Sequence, residues 1–513
     1  MASKTAHASY DDIPYDGGIV VGSHPEHLAT IGRLFGMAPA PVQHCRVLEI
    51  GCATGANLLP MAYSLPHAEF TGIDPSRRQI ELGMKMLAEY GVSNVELVVA
   101  DIRDALAWQR EFDYIVCHGV LTWVAPEVQD AILAACRRLL APNGIAYLSY
   151  NALPGFHMRA AIGEMLRYHA RNFQDPGERI DQGRAILNFL VTASGSASGG
   201  DETLNVYNSM LQREKAILDG APRSYLMHEH LVDDSSALYL HEFVDFAKSH
   251  ALQYIGDAAF ATMLVRDLPD DVAEEINRIA PDQVSLEQYR DFVVNRMFRK
   301  SLVCRDDVTL ERHISTDVIA SLLFRGRLVR NRDGQWQINK FGGAVVAVTD
   351  AGVTALLDVL EEAAPATLDF SELARRVGDR DASAAEQLPA ILLSLYSLDG
   401  VDFRTWAPTV AATVSVKPEA FLPARKSARA GMSSVPVPYH NTIALDAFVC
   451  RMLPLVDGSR DHAELTTAME AMAASGALTV PGAAEGEAME RDVVARLVGQ
   501  ALEQLRRAGL LVS

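Results

Sequence analysis

Cysteine is scarce in this sequence, and the few cysteines are not arranged as a metal site. The 513 residues contain six cysteines, and none of them forms a Cys-X-X-Cys pair. Structural zinc sites are built from closely spaced ligands, so we expect no zinc or other metal. Most of the cysteines lie in apolar segments, which is typical of reduced core residues in a cytoplasmic protein.

Positive charge is also in short supply. Lysine and arginine number 46 against 65 aspartates and glutamates, which gives a net charge of -19. A protein that binds the nucleic acid backbone needs a basic surface, so we expect no nucleic acid partner. The acidic surplus favours small molecules, cationic groups or basic peptides as partners.

Long apolar runs are missing as well. A transmembrane helix needs about 18 or more consecutive apolar residues, and the sequence contains no such run. The N-terminal stretch MASKTAHASYDDIPY lacks the apolar core of a secretory signal peptide. We therefore expect a cytoplasmic protein without membrane insertion.

What is present begins with an alternation of strand-like and helical segments from Arg46 to Tyr150. The strand-like runs are RVLEI, AEFTGI, NVELVVA, FDYIVCH and GIAYLSY. One predicted helix covers RRQIELGMKMLAEYG and stops at Gly91, and another opens with Pro126. The alternation predicts an α/β fold, with a parallel sheet and helices on both of its faces.

Ligands bind such sheets at the carboxyl ends of the strands, so the residues that follow each strand are the candidate ligand contacts. The first strand runs into Glu49-Ile50-Gly51-Cys52-Ala53-Thr54-Gly55. The two glycines permit a tight turn, but the spacing is not the GxGxxG dinucleotide pattern, and a glutamate here would repel a pyrophosphate. A ligand with an ammonium and a sulfonium group fits this loop better.

The next two strands also end in acidic residues. Asp74 and Pro75 follow the second strand, and Asp74 lies 19 positions after Gly55, about the offset at which an acid reaches ribose hydroxyls. Asp101 and Ile102 follow the third strand. There the acid can accept from an adenine amino group while the apolar side chain covers the ring. An amino acid, a ribose and an adenine without phosphate describe S-adenosylmethionine.

The fourth strand ends at His118, on the side where we expect the transferable methyl group. Histidine titrates near neutral pH, so His118 is a candidate general base as well as a cofactor contact. The alternative is a histidine hydrogen-bonded to loop backbone. For Asp74 and Asp101 the alternative is a helix N-cap role, although Ser76 could serve as the cap after Asp74.

Residues 46–150 resemble the class I methyltransferases. VLEIGCATG matches their first motif, with Ala53 in place of the usual middle glycine, while GIDPS and VADIRD match the two acidic positions. A closer resemblance covers nearly the whole chain. The segments that carry it are SYDDIPYDGGIVVGSHPEHL, HGVLTWV, SYNALPGFHM and HEFVDFAKSHALQYIGDA. They are similar to the rickettsial-type outer-membrane-protein lysine methyltransferases, in which a tryptophan stands where this chain has Phe156.

This resemblance implies a Rossmann-like class I core, a methyltransferase regulatory-type segment, a C-terminal, mostly α winged-helix-like region and a protein lysine as methyl acceptor. The expected organisation is an N-terminal cap segment at 1–45, the methyltransferase core at 46–155, a helical insert at 156–237, a return to the core sheet at 238–306, a winged-helix-like unit at 310–405, a linker at 406–440 and a second winged-helix-like unit at 441–513. Within the insert, TASGSASGGDE predicts a flexible loop.

A lysine acceptor must lose its proton, and burial in an aromatic channel lowers the free-energy cost of that loss. The candidate wall residues are Tyr10, Tyr15, Trp123, Tyr150 and Phe156, and Asn151 could accept from the amine. For each aromatic residue the alternative is plain core packing.

Other readings of the sequence stay open. A small-molecule methyltransferase, acting on an amine or hydroxyl of a natural product, is the main alternative. A DNA-binding regulator is a more distant one, because the predicted helix LPAILLSLY of the first winged-helix-like unit contains no lysine or arginine. Packing, dimerisation or docking of a protein substrate suits these units better. His24 and His157 are interpreted as structural, and His228 with His230 make too few ligands for a metal site.

Overall fold

The computed structural model describes residues 13–14, 17–232, 235–328, 330–339, 345–476 and 491–513. Its central sheet contains β1 (Arg46–Ile50), β2 (Glu69–Asp74), β3 (Val95–Val99), β4 (Phe112–Cys117), β5 (Leu140–Asn151), β6 (Leu252–Asp257) and β7 (Phe298–Arg305). Within the described ranges these seven strands are ordered β3-β2-β1-β4-β5-β7-β6. The five predicted strands and the predicted later return of the chain to the sheet are confirmed.

The sheet is mixed rather than wholly parallel. β1 pairs in parallel with β2 and with β4, and β5 continues the parallel set beyond β4. β7 lies antiparallel between β5 and β6. The strand order therefore reverses between β1 and β4, which is the point where open sheets of this kind bind ligands.

Helices cover both faces of the sheet. The first of them are α1 (Pro25–Leu34), α2 (Leu58–Ser64), α3 (Arg77–Tyr90), α4 (Ile102–Ala105) and α5 (Pro126–Leu139). Ser76 is the N-cap of α3 and accepts from the Gln79 amide, and Gly91 ends the helix with φ of 67°. Both predicted ends of α3 are thus confirmed, because glycine adopts this left-handed conformation without strain.

Strand alternation sorts the core into two layers. Successive side chains of a strand point to opposite faces, so Val47 and Val116 join one hydrophobic cluster while Leu48 and Cys117 join another. The first cluster continues without a break into the winged-helix-like unit through Phe324 and its neighbours. That unit and the methyltransferase core are therefore packed as one body.

The insert consists of α6 (Phe156–Ala170), α7 (Pro176–Ala197), α8 (Glu202–Gly220) and α9 (Arg223–His230), and it has a hydrophobic cluster of its own. The flexible loop predicted at 192–202 is wrong for most of its length, because α7 continues to Ala197. Asn208 of α8 donates to the Val191 carbonyl at 2.7 Å and to the Ser194 hydroxyl at 2.8 Å. These contacts between helices offset the poor helix propensity of the Ser/Gly-rich segment.

After the insert come α10 (Leu240–Ser249), α11 (Asp270–Ile279) and α12 (Gln283–Val294). The fully buried Arg299 of β7 joins α12 through Asp291 at 2.6 Å and Glu287 at 2.9 Å. A buried arginine needs such partners, and they fix the start of β7 at the carboxyl end of β5.

The last 200 residues form two further units. The first contains α13 (Thr316–Ala320), β8 (Leu323–Gly326), β9 (Gln337–Asn339), β10 (Val345–Ala347), α14 (Ala351–Ala363), β11 (Leu368–Asp369), α15 (Phe370–Gly378), α16 (Ala382–Glu386), α17 (Leu388–Tyr396) and β12 (Val401–Arg404). Its small sheet has the order β11-β8-β12. Its last helix, α17, is followed by the short strand β12 after Gly400.

The second unit contains α18 (Leu422–Arg429), β13 (Ser434–Val437), β14 (Asn441–Ala444), α19 (Ala447–Met452), α20 (His462–Ala474) and α21 (Arg491–Arg507). The linker predicted at 406–440 is therefore wrong in its second half. Phe421 and Ala424 are buried in the core of this unit, so the Pro/Ala-rich composition conceals a helix that packs against tertiary neighbours.

Within the part of the chain that the structure describes, none of the helices combines the length and the apolar character needed to span a membrane.

Candidate active site

A cavity of about 830 Å³ opens at the carboxyl ends of β1 to β4. Its volume lies in the range of small-molecule sites. Segments that follow the strands line one side, and α6 and α9 of the insert line the other. The cavity therefore joins the predicted cofactor end to a second end that the insert provides.

The turn after β1 is built for close backbone approach. Gly51 and Gly55 have φ of 71°, and Ala53 shares the left-handed region with φ of 48°. A Cβ on Gly51 would lie 2.5 Å from a Val120 methyl, and one on Gly83 of α3 would lie 2.4 Å from the Thr54 carbonyl oxygen. The loop keeps its shape with alanine at position 53, in part because the Ala53 amide donates to Asp74 at 2.9 Å.

Glu49 lies beneath this turn with only 4 % of its surface exposed. Its Oε1 accepts from the Asn57 amide at 2.8 Å, whereas its Oε2 has no hydrogen-bond partner among the described residues. Burial raises the pKa of Glu49 to about 8, with Asp74 adding to the shift and Asn57 opposing it. A buried carboxylate that lacks a partner and lines a cavity is suited to a cationic ligand.

Asp74 lines the cavity beyond the turn. Its two carboxylate oxygens accept from the Ala53 amide at 2.9 Å and the Ser76 amide at 2.8 Å. Because Ser76 serves as the helix cap, the cap alternative does not describe Asp74. The side chain still lines the cavity, so its contact with a ribose stays a prediction.

Asp101 does take the alternative role that the sequence allowed. It caps the short α4, accepts from the Arg103 amide at 2.9 Å and pairs with the Arg103 guanidinium at 2.6 Å. Asp101 and the buried Ile102 still line the cavity. Their contact with an adenine therefore stays a prediction, and the cap and the ligand contact are compatible.

Cys52 and Pro75 also line the cavity, whereas Thr54 and Gly55 form the part of the turn that packs against α3 and β3. Among the described residues, no group of three or more histidine, cysteine, aspartate or glutamate side chains is placed to hold a metal ion.

His118 lies at the end of β4 and faces the cavity. Its Nδ1 is 3.0 Å from the Tyr147 hydroxyl, and its ring stands edge-on to Phe298. Burial, reinforced by Lys300, lowers the pKa of His118 to about 4. This lowered pKa makes the neutral imidazole a weaker base than the sequence suggested, and the catalytic role of His118 stays a prediction.

Of the predicted aromatic wall, Trp123 and Phe156 line the cavity and contact each other edge-to-face at 6.3 Å. Asn151 joins them. Tyr150 does not, because it is fully buried on the opposite face of β5, stacked on Phe243 at 4.4 Å. Its predicted catalytic role is a wrong assignment.

Tyr10 and Tyr15, the remaining predicted wall residues, lie outside the described residues.

The insert supplies cavity residues that the sequence reading missed. They are Arg159 of α6 and Tyr225, His228 and Glu229 of α9. Arg159 hydrogen-bonds to the Tyr225 hydroxyl and pairs with Glu229 at 3.5 Å and with Glu214 at 3.3 Å. Burial raises the pKa of Glu229, as does Glu214, while Arg159 opposes the shift. The motif MHEH was the available sequence signal for Glu229. The sequence analysis considered only the two histidines of this motif, and only as metal ligands.

Three protein-family descriptions match the chain. A methyltransferase domain matches residues 47–144, a "predicted methyltransferase regulatory domain" matches 222–305, and a "PKMT, C-terminal winged helix domain" matches 417–510. The last match begins before the predicted second unit, in agreement with the position of α18.

Related proteins come from Rickettsia. Protein RP028 of Rickettsia prowazekii is 37% identical over 248 residues, which cover 48% of this chain and 97% of that protein. Protein RP789 of the same organism is 38% identical over 313 residues, 61% of this chain, and the match spans only 55% of RP789. Among solved structures, PKMT2 from Rickettsia typhi superimposes with a TM-score of 0.84 at 28% identity, covering 97% of this chain and all of that one. Its complex with AdoHcy gives 0.83.

Proposed function

This chain belongs to the class I S-adenosylmethionine-dependent methyltransferases, in the group of the rickettsial PKMT proteins, and we propose that it transfers methyl groups to lysine side chains of a protein. The cofactor would bind at the carboxyl ends of β1 to β3, and the acceptor would enter from the side of the insert. The six cysteines are free thiols, which suits a protein that works in the reducing cytoplasm.

The buried carboxylate of Glu49 carries the cofactor assignment. Its Oε2 lines a cavity of about 830 Å³ and has no hydrogen-bond partner in the described part of the chain, and a cation would supply one. The glycine turn allows a ligand to approach the backbone, while the carboxylates of Asp74 and Asp101 disfavour a phosphate. In the proposed arrangement Glu49 faces the cationic amino acid part, Asp74 the ribose, and Asp101 with Ile102 the adenine.

When bound, S-adenosylmethionine supplies an electrophilic methyl group on a sulfonium. The residues of this chain then have to place a neutral amine in line with it. Removing the proton of a lysine at pH 7 costs about 4 to 5 kcal/mol from its usual pKa. Burial between Trp123, Phe156 and Phe298 would lower that cost, because an apolar wall disfavours the charged amine.

Glu229 is the group we assign to the acceptor amine. Its raised pKa indicates that Arg159 compensates its charge only in part, so a cationic acceptor would be attracted to it. Its carboxylate can accept a hydrogen bond from the ammonium and receive the proton. His118, whose pKa is about 4, can hydrogen-bond as a neutral ring but is a poor proton acceptor. Asn151 lines the same cavity and offers an amide oxygen.

The proposal is tested by transfer of labelled methyl groups from S-adenosylmethionine into a bacterial cell lysate, followed by size separation. We expect label in a protein band. Hydrolysis of that band should release the label as methylated lysine. The variant Asp74→Ala serves as the inactive control. Label found only in small molecules would replace the proposal with the small-molecule alternative.

A second prediction concerns the proton that Glu49 releases when the cofactor binds. Below pH 8 the free protein holds a proton on Glu49, since the pKa of this group is raised to about 8. A bound cation favours the carboxylate, so binding should release about 1 proton at pH 7. Affinity should then rise from pH 6 to pH 8 and level off above it.

This release is measured by titration calorimetry of S-adenosylmethionine in two buffers of different ionisation enthalpy. The matched control is Glu49→Gln, which keeps the Asn57 contact but has no proton to release. Equal proton release in both proteins would contradict the role of Glu49, because the ligand itself would then be the source.

A further inference from the structure

Asn57 connects the cofactor end of the cavity to the rest of the molecule. It is buried, with 4 % of its surface exposed. Its Nδ2 donates to Glu49 at 2.8 Å and to the Ser23 hydroxyl at 3.1 Å. Its Oδ1 accepts from the Val20 amide at 2.8 Å and lies 3.0 Å from the Nε2 of His440. All four hydrogen-bonding positions of the amide are used.

His440 belongs to the C-terminal unit, in the turn between β13 and β14. It is 3 % exposed and has φ of 56°, which only a few non-glycine residues adopt. Since Asn57 Oδ1 is an acceptor, His440 must donate from Nε2. Its Nδ1 has no hydrogen-bond partner among the described residues. The contact to Asn57, together with a hydrogen bond to the Val20 backbone, therefore orients the ring within this turn.

Neighbouring contacts fix the approach of this turn. The His440 ring is 5.3 Å from the ring of His24, the N-cap of α1, and His24 stacks on Trp406 at 6.1 Å. Arg404 of β12 pairs with the buried Glu26 at 2.8 Å. Residues of both C-terminal units therefore contact α1 and the segment that follows the glycine turn.

We propose that His440 is a positioning residue through which the C-terminal unit sets the affinity of the cofactor site. His440 holds the Asn57 amide in the orientation that donates to Glu49. Without the His440 ring, Asn57 Oδ1 accepts one hydrogen bond instead of two. The Asn57 amide can then rotate more freely, and its hydrogen bond no longer fixes the position of Glu49. The inference rests on the proposed function in that the ligand at Glu49 is the cofactor. By linkage, cofactor binding must also stabilise the docked C-terminal unit.

The test compares His440→Ala and His440→Gln with the wild type by calorimetric titration of S-adenosylhomocysteine. We expect the dissociation constant of His440→Ala to rise about 5-fold to 10-fold, the size of one lost buried hydrogen bond. His440→Gln should recover most of the affinity, because its amide can donate from the position of Nε2. In turnover assays the KM for S-adenosylmethionine should rise while kcat at saturation stays within about 2-fold.

Tyr439→Phe is the matched control. Tyr439 precedes His440 in the same turn, but its hydroxyl donates to the Pro365 carbonyl at 2.7 Å, away from the cavity. This variant should lose stability without losing cofactor affinity. Should His440→Ala bind as tightly as the wild type, or should Tyr439→Phe bind as weakly as His440→Ala, the turn would be a structural contact only and the inference would be overturned.

Two further outcomes keep the test decisive. If His440→Ala does not fold, His440→Gln and Ser23→Ala provide the test. Ser23→Ala removes another partner of Asn57 and should weaken binding by a similar factor, and unchanged affinity in this variant would overturn the inference. Absence of binding by the wild type itself would overturn the cofactor assignment, a failure that is distinct from unchanged affinity in the variants.

Discussion

Asp74→Ala is expected to weaken S-adenosylhomocysteine binding at least about 100-fold. The carboxylate holds the Ala53 and Ser76 amides and, in the proposed complex, the ribose hydroxyls. Hydrogen bonds to a charged group contribute about 1.5 to 3 kcal/mol each, so losing the ribose contacts alone predicts this effect. Calorimetric titration measures it, and fluorescence-detected thermal unfolding should show no ligand-induced rise in Tm.

The control for this variant is Asp113→Ala. Asp113 belongs to β4 and pairs with Arg46 at 3.0 Å, at the opposite end of the sheet from the cavity. Its loss removes an acid and an ion pair from the same sheet, so stability should fall while affinity is kept. An Asp74→Ala protein that binds within about 3-fold of the wild type would refute the ribose assignment.

Glu229→Gln is expected to lower kcat/KM for the protein acceptor about 30-fold to 100-fold while the cofactor dissociation constant is unchanged. Glutamine fills the same space, but it removes the charge that attracts the ammonium and the group that receives its proton. The measurement is the initial rate of label incorporation into the protein band identified in the lysate. Glu164→Gln, an exposed change on the same α6 as Arg159, is the matched control.

The pH dependence gives a second readout of Glu229. Because its pKa is raised, the wild-type kcat/KM should decline on acidification at a higher pH than an ordinary glutamate would cause. Protonated Glu229 neither attracts the ammonium nor accepts its proton. The Glu229→Gln variant should have lost this decline. A variant with the same acidic limb as the wild type would assign the titration to another group.

The cavity residues that follow β1 to β3 could be predicted because their sequence signals are local. Each acid lies at the end of its own strand-like run, as in RVLEI and FTGID. The rule that parallel strands share a carboxyl edge then brings the separate strand ends together. The chain returns to the sheet as predicted, since HEFVDFAKSH and FRKSLVCR carry their own periodic patterns.

The acceptor side could not be predicted, because Arg159 and Glu229 meet only through the packing of α6 against α9. One error was avoidable. Tyr147 contacts His118 and Asn151 lines the cavity, and alternate residues of a strand share a face. Tyr150 must then point away from the cavity. The misread loop at 192–202 and the helix within the supposed linker depend instead on tertiary contacts that composition does not reveal.

The insert has a hydrophobic cluster separate from those of the sheet, yet its helices line the end of the cavity that we assign to the acceptor. We expect substitutions within that cluster to leave the packing beneath the glycine turn unchanged. In the proposed assignment, the acceptor specificity of such an enzyme can therefore change during evolution while its binding of the methyl donor is conserved.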